Sequence, residues 1–289
     1  MTNRDRCTMN ELTHIETVIE RYDAVFCDVW GVVHNGVEAF EPALKALDKI
    51  RQMGKTVILL TNSPRLWEDV AAQLQSMKVH RDYYDAIITS GDVTRDLICA
   101  APRKVFFIGP QRDLVLFEGL TCEFVEEREA SVVVCSGFLE GLDEEPSAYE
   151  AMFRRIRARN LPFICANPDV IVHYGNKEFW CAGALARLYQ QLGGEVRIAG
   201  KPHAPIYECA FEKLQKIRGT VEKSQILAIG DGLLTDIKGA AHFGLDALYI
   251  MGGIHCYDYM QNGVVDKQAL HSFLERHGYR PQAIMWALQ

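Results

Sequence analysis

From Asp23 onward, short uninterrupted apolar runs alternate with longer stretches in which apolar positions recur every three or four residues. The runs at 24–27, 57–60, 87–89, 105–108, 132–135, 163–165, 196–199, 226–229 and 247–250 read as strands. Between them, 42–52, 64–77, 146–159, 177–191, 204–217 and 233–243 carry helical spacing. Four of these helices have a proline at their first or second position, where the missing N–H is harmless. Strands alternating with helices predict βαβ units and a parallel sheet covered on both faces, an α/β fold.

The middle of the chain differs in detail from its two ends. Residues 95–194 hold their own strands and helices, and the acidic, turn-rich stretch GFLEGLDEEPS separates the 132–135 run from the next helix. At about 100 residues this stretch is long enough to be an inserted domain, and the full length of 289 residues fits about two domains. The tail, 266–289, offers a helix pattern and a last apolar run, 283–288, read here as packing.

Composition is that of a globular protein, 48% hydrophobic and 24% charged. A net charge of −7 lacks the basic footprint of a phosphate-backbone binder, so nucleic acid is not an expected partner. No apolar run approaches the ~18 residues that span a bilayer, and the first residues mix charges of both signs, so no membrane partner and a soluble, cytoplasmic protein are expected. The nine cysteines contain no CxxC pair, which argues against a disulfide framework and a structural zinc site. Several, including Cys27, Cys135 and Cys165, sit in apolar runs as small buried hydrophobes; buried structural thiols are also the reading for Cys165 with Cys181.

In open parallel sheets ligands bind beyond the carboxyl ends of the strands. Here those ends carry reactive types: Asp28 after 24–27, Thr61-Asn62-Ser63 after 57–60, Lys201 after 196–199, and Asp231 with Asp236 after 226–229. Carboxylates without clustered thiolate or imidazole favour a hard cation such as Mg²⁺, and lysine and threonine suit the same phosphate, so phosphoryl transfer is the natural chemistry. No strand leads into GxGxxG, so a dinucleotide oxidoreductase is not expected.

DVWGVVHNG at 28–36, LLTNSP at 59–64, GKPHAPIY at 200–207 and GDGLLTDIKGA at 230–240 resemble the four ordered motifs of the haloacid-dehalogenase (HAD) superfamily. CANPDV at 165–170 and CAGAL at 181–185 are similar to cap stretches of its class IIA branch of sugar-phosphate, nucleotide and pyridoxal phosphatases. The resemblance implies a three-layer Rossmann-like parallel sheet core, 1–94 and 195–289, with an inserted α/β cap domain, 95–194. It implies an Mg²⁺-dependent phosphatase acting on a small phosphorylated metabolite, and it leaves room for a homodimer. By the same resemblance Asp28 is the nucleophile, forming an aspartyl-phosphate. Asp28, the Trp30 backbone oxygen, Asp231 and, in the outer shell, Asp236 hold the metal. Thr61 and Asn62 hold phosphate oxygens, Lys201 neutralises charge, and Asn167 and Asp169 contact substrate from the cap.

One position departs from the pattern. Relatives of this kind carry a second Asp two residues after the nucleophile as general acid/base, and here that residue is Trp30. Indole cannot donate or accept a proton usefully, and a general acid/base contributes ~10²–10⁴-fold. Three outcomes are open: a surrogate such as His34, a substrate whose leaving group needs little protonation, or a catalytically silent phosphometabolite-binding or regulatory protein on the same scaffold. The plainer readings are a loop histidine at 34, cap packing by Trp30, a helix-start acid at Asp236, and a solvated turn at Asp143-Glu144-Glu145.

Overall fold

The computed structural model describes residues 10–139, 144–175, 177–261 and 263–289. Its first strands are β1 (Asn10–Glu11), β2 (Ala24–Cys27), β3 (Thr56–Thr61) and β4 (Ala86–Thr89). There follow β5 (Lys104–Ile108), β6 (Glu123–Phe124), β7 (Val132–Cys135), β8 (Phe163–Cys165), β9 (Ile171–Tyr174), β10 (Lys177–Trp180) and β11 (Val196–Ile198). The rest are β12 (Ile226–Gly230), β13 (Asp246–Ile250), the short ribbon β14 (Met260–Gln261) and β15 (Val264–Val265), and β16 (Ala283–Met285).

The larger sheet runs β1-β16-β13-β12-β2-β3-β4 with every neighbouring pair parallel. Successive side chains on a strand point to opposite faces, and both faces are covered. Val25, Cys27, Val57 and Leu59 pack with Ala46, Leu47, Val70 and Leu74 of the helices Glu41–Gln52 and Trp67–Ser76. Their neighbours Ala24, Phe26, Ile58 and Leu60 pack on the other side with Ile206, Ala210, Phe273 and Leu274 of the helices Ala204–Arg218 and Lys267–His277. Burial on both faces explains why these strands read as continuous apolar runs rather than alternating ones. The result is the expected three-layer α/β sandwich.

A second, five-stranded parallel sheet, β11-β8-β7-β5-β6, is built from the middle of the chain. Phe153, Phe163 and Tyr189 interlock on one of its faces with ring centroids 5.3 to 5.7 Å apart, and the Tyr189 hydroxyl donates to the Leu161 carbonyl at 2.6 Å. Helix Ser90–Cys99 runs through positions 94 and 95, so the break expected there falls inside a helix. Its Ile98 packs with Val105, Val132 and Ile164 of the second sheet. The periodicity reading passed over this helix; its start is capped by Thr89, whose hydroxyl accepts the Asp92 amide at 2.9 Å.

Several elements differ from the periodicity reading. The stretch 177–191 is a strand followed by a helix: β10 pairs antiparallel with β9, and only Ala182–Gln191 is helical. Gly175, at φ 58°, takes the left-handed conformation that hairpin turns need. Helix 64–77 begins at Trp67, because Leu66 is extended. The stretch 233–243 opens as a π-turn, Leu233–Ile237, in which the Gly232 carbonyl accepts the amides of both Asp236 and Ile237. The last apolar run is a strand, β16, seated between β1 and β13. Asp143, read as part of a solvated turn, and Cys7 lie outside the described residues, and the other eight cysteines are free thiols. Among the described residues no helix is long and apolar enough to cross a membrane.

Met285 is fully buried between β13 and the helices beneath it. Met285→Ala is expected to lower unfolding stability by ~2–5 kcal/mol; a denaturant midpoint indistinguishable from wild type would show that this last strand contributes nothing to the core.

Candidate active site

β2 and β12 are adjacent, and the chain winds away from them in opposite directions, which leaves a crevice at their carboxyl ends. Asp28 follows β2 and Asp231 follows β12, while β3 delivers Thr61 and Asn62 from the next position in the sheet. Lys201, in the turn before helix Ala204–Arg218, reaches into the same crevice. Thr61, Asn62, Asp28, Lys201, Asp231 and Asp236 are all buried.

Lys201 Nζ donates to Asp28 Oδ1 at 2.5 Å and to Asp236 Oδ1 at 2.8 Å. Burial alone would push the ammonium down, but the charges of Asp236 and Asp28 outweigh it and hold Lys201 above its ordinary value. Asn62 bridges two segments: its Oδ1 accepts the Lys201 amide at 2.8 Å, and its Nδ2 donates to Asp169 Oδ1 at 2.8 Å and to the Lys201 carbonyl at 3.2 Å. Thr61 Oγ1 accepts the Ser63 amide at 3.2 Å and so caps the turn it belongs to.

Asp28, Asp231 and Asp236 offer oxygens that all lie within 4.8 Å of one another. Burial, and next the charge of Asp236, raise the carboxyls of Asp28 and Asp231, the latter to about 7. Three buried carboxylates facing one ammonium carry excess negative charge, and their hard oxygen donors suit a divalent cation. The backbone is shaped to leave that space open. A Cβ on Gly31, which sits at φ 85°, would lie 2.1 Å from Asp231 Oδ2, and one on Gly253 would lie 2.0 Å from the same atom. The Ile254 amide holds Asp231 Oδ2 at 2.8 Å, and the Gly232 amide holds Asp236 Oδ2 at 3.1 Å.

These groups line a cleft of about 220 Å³. Asp169 reaches its wall; Asn167 does not, because its side-chain oxygen is turned onto the Asp169 amide at 3.1 Å and shapes that turn. His34 is also absent from the wall. It is buried, its Nδ1 accepts the Gly36 amide at 2.9 Å, and burial pushes its imidazole down to about 4. Trp30 lines the cleft and ties it to the β9–β10 hairpin: its Nε1 donates to the His173 carbonyl on β9 at 2.7 Å. Its ring meets His34 edge-on at 4.9 Å and Tyr174 at 6.1 Å.

Motif reading missed the segment after β13. Gly253, Ile254 and Tyr257 line the cleft, and the rule that a strand's carboxyl end be read first points to Gly252-Gly253 beyond β13. The hairpin residues His173 and Gly175 were also missed, because their stretch offers no motif.

Residues 25–122 match the family model described as haloacid dehalogenase-like hydrolase, and residues 198–274 match one described as HAD-hydrolase-like. A haloacid dehalogenase-like hydrolase from Brucella suis 1330 is 52% identical, covering 96% of this chain and 100% of that one, with a TM-score of 0.88. Acid sugar phosphatase from Staphylococcus haemolyticus is 24% identical over 261 residues, 88% of this chain and 94% of the relative. A p-nitrophenyl phosphatase from Archaeoglobus fulgidus shares the fold at 22% identity and TM-score 0.69, covering 92% of this chain and 96% of that one.

The raised Asp231 carboxyl has a thermodynamic consequence. Without a cation the folded chain keeps a proton there up to about pH 7, whereas the unfolded chain releases it near ~3.9, so this group's contribution to stability falls as pH rises through that window. Cation binding requires the ionised form and gains over the same window. The rise in Tm on adding Mg²⁺ is therefore expected to be larger at about pH 8 than at about pH 6 and to vanish in Asp231→Asn; a pH-independent rise measured by thermal unfolding would contradict this.

Proposed function

Because the chain belongs to the haloacid dehalogenase-like hydrolase family, we propose that it is an Mg²⁺-dependent phosphatase that transfers the phosphoryl group of a small phosphorylated metabolite to Asp28. The observation that carries this reading is the buried Asp28–Lys201–Asp236 cluster beside Asp231, a carboxylate nucleophile and a fixed positive charge in one crevice. The residues between 95 and 194 are read as a cap inserted between the two halves of the catalytic unit.

In this mechanism a carboxylate oxygen of Asp28 attacks phosphorus, the bond to the leaving oxygen breaks, and an aspartyl-phosphate forms. Water then attacks phosphorus, releasing phosphate and restoring Asp28. Lys201 offsets the charge that gathers between Asp28 and the phosphoryl oxygens, while Thr61 and Asn62 hold those oxygens. Asp28, Asp231 and the Trp30 carbonyl would hold Mg²⁺, with Asp236 behind them. Bound there, the cation supplies positive charge to the phosphoryl oxygens and orients them for in-line attack. Asp169 would face the bound ester from the cap.

Trp30 stands where a proton donor to the leaving group would be expected, and His34 is not placed to replace it. This favours esters whose leaving groups depart without protonation, aryl and acyl phosphates. It also keeps alive a second reading, a phosphometabolite-binding or regulatory protein with little turnover.

Hydrolysis of aryl, acyl, sugar and nucleotide phosphates by wild type, Asp28→Asn and Trp30→Asp separates these readings. Expected are Mg²⁺-dependent turnover that favours aryl over alkyl esters, its loss in Asp28→Asn, and a gain of about 10²-fold on alkyl esters in Trp30→Asp. No Asp28-dependent turnover of any class would favour the binding protein, and equal aryl and alkyl rates in wild type would contradict the role given to Trp30.

A further inference from the structure

Residues 252–254, which follow β13, wall the cleft beside Asp231. The Ile254 amide donates to Asp231 Oδ2 at 2.8 Å, and a Cβ on Gly253 would lie 2.0 Å from that same oxygen, so the backbone touches the carboxylate directly. On the other side the Gly252 amide donates to the Trp286 carbonyl at 2.8 Å, and a Cβ on Gly252 would lie 2.7 Å from that carbonyl oxygen. Two glycines thus let the turn fit between Asp231 and the segment after β16 with no side chain as a spacer. A small displacement of this turn changes how Asp231 is held.

A buried pair of phenols fixes where this turn begins. The Tyr259 hydroxyl donates to the Met251 carbonyl at 2.6 Å and lies 3.0 Å from the Tyr249 hydroxyl. A carbonyl can only accept and a phenol has one proton, so Tyr259 gives its proton to Met251 and Tyr249 donates to Tyr259. Burial raises both phenols, so both keep their protons. The Met251 amide is taken in turn by the Met285 carbonyl at 2.8 Å, which leaves both polar groups of that residue's backbone fixed. Tyr259 is itself firmly seated: its ring meets Phe273 of helix Lys267–His277 at 5.6 Å, and its carbonyl accepts the amide of Asp266, which caps that helix, at 2.8 Å. Both tyrosines are buried, and neither lines the cleft.

We infer that Tyr259 is a positioning residue for the metal ligand Asp231. Its hydroxyl pins the Met251 carbonyl, the pinned peptide sets the direction of the turn at 252–254, and the Ile254 amide then holds the Asp231 carboxylate where it shares a site with Asp28 and Asp236. Tyr249 supports this chain of hydrogen bonds from behind without touching the turn's backbone. The inference rests on the reading of Asp28, Asp231 and Asp236 as a Mg²⁺ site and needs no turnover.

The test measures Mg²⁺ binding to the full chain by calorimetry in wild type, Tyr249→Phe and Tyr259→Phe. Tyr249→Phe leaves the Met251 carbonyl paired and is expected to lower the melting temperature with a Kd indistinguishable from wild type. Tyr259→Phe keeps the ring but unpairs that carbonyl, and is expected to raise the Kd about tenfold, the scale on which metal sites respond to losing the groups that orient their ligands. Amide hydrogen exchange at Ile254 is expected to quicken in Tyr259→Phe alone. An unchanged Kd in Tyr259→Phe, an equal rise in both variants, or a rise with Ile254 exchange unchanged overturns the inference and leaves the metal reading standing. No Mg²⁺ binding by wild type overturns the metal reading and this inference with it. Tyr259→Phe also strands the Tyr249 hydroxyl, a buried group left without its acceptor. If that variant does not fold, Tyr249→Phe combined with Tyr259→Phe removes both hydroxyls and is read by the same outcomes; a double variant that also fails to fold assigns the Tyr259 hydroxyl to the core and overturns the inference.

Discussion

The site depends on one buried ammonium. Lys201 lies between Asp28 and Asp236 with almost no solvent contact, and desolvation of this kind costs several kcal/mol per ion unless each charge is paired and hydrogen-bonded. The three groups come from three distant parts of the chain, so their pairing forces the ends of β2 and β12 and the turn before helix Ala204–Arg218 into register. Asn62 locks the Lys201 backbone from β3 through both its amide and its carbonyl. Asp231 adds a carboxylate that Lys201 does not reach directly, and the surplus negative charge is what makes the cluster suited to a divalent cation.

Two polar contacts tie this centre to the chain between β8 and β10. Asp169 accepts from Asn62, and the Trp30 indole donates to the His173 carbonyl. Each links a residue at the carboxyl edge of the larger sheet to the segment that covers it, so the wall of the cleft and the position of the cover are coupled. Trp30 therefore combines two physical consequences: it places a non-ionisable side chain in the wall beside Asp28 and it anchors the hairpin above it. Gly36 permits this, since a Cβ there would lie 2.5 Å from the indole ring.

Electrostatics is arranged locally rather than globally. A net charge of −7 repels anions at long range, and screening over a Debye length of ~8 Å leaves the nearest cations and backbone amides to decide binding. Inside the cleft that leaves Lys201 and the backbone amides around it.

Much of the architecture was legible in the chain alone. Uninterrupted apolar runs identify strands buried on both faces, since a parallel sheet covered by helices has no polar side, and reactive residues directly after those runs mark the rim where ligands bind. Asp28, Thr61, Asn62, Lys201, Asp231 and Asp236 were found this way, and their meeting follows from strand order. Short elements without a periodic signal were not legible. β9 and β10 carry only half-buried or exposed positions, so their pattern imitates the start of a helix, and β16 is three residues that only the vacant edge of β13 turns into a strand. The sequence also could not show which hydrogen bonds the side chains of His34 and Asn167 make. Those depend on which neighbour takes each side chain's hydrogen bond, the Gly36 amide for one and the Asp169 amide for the other, and such short-range competition is settled only when the folded backbone brings donor and acceptor within reach.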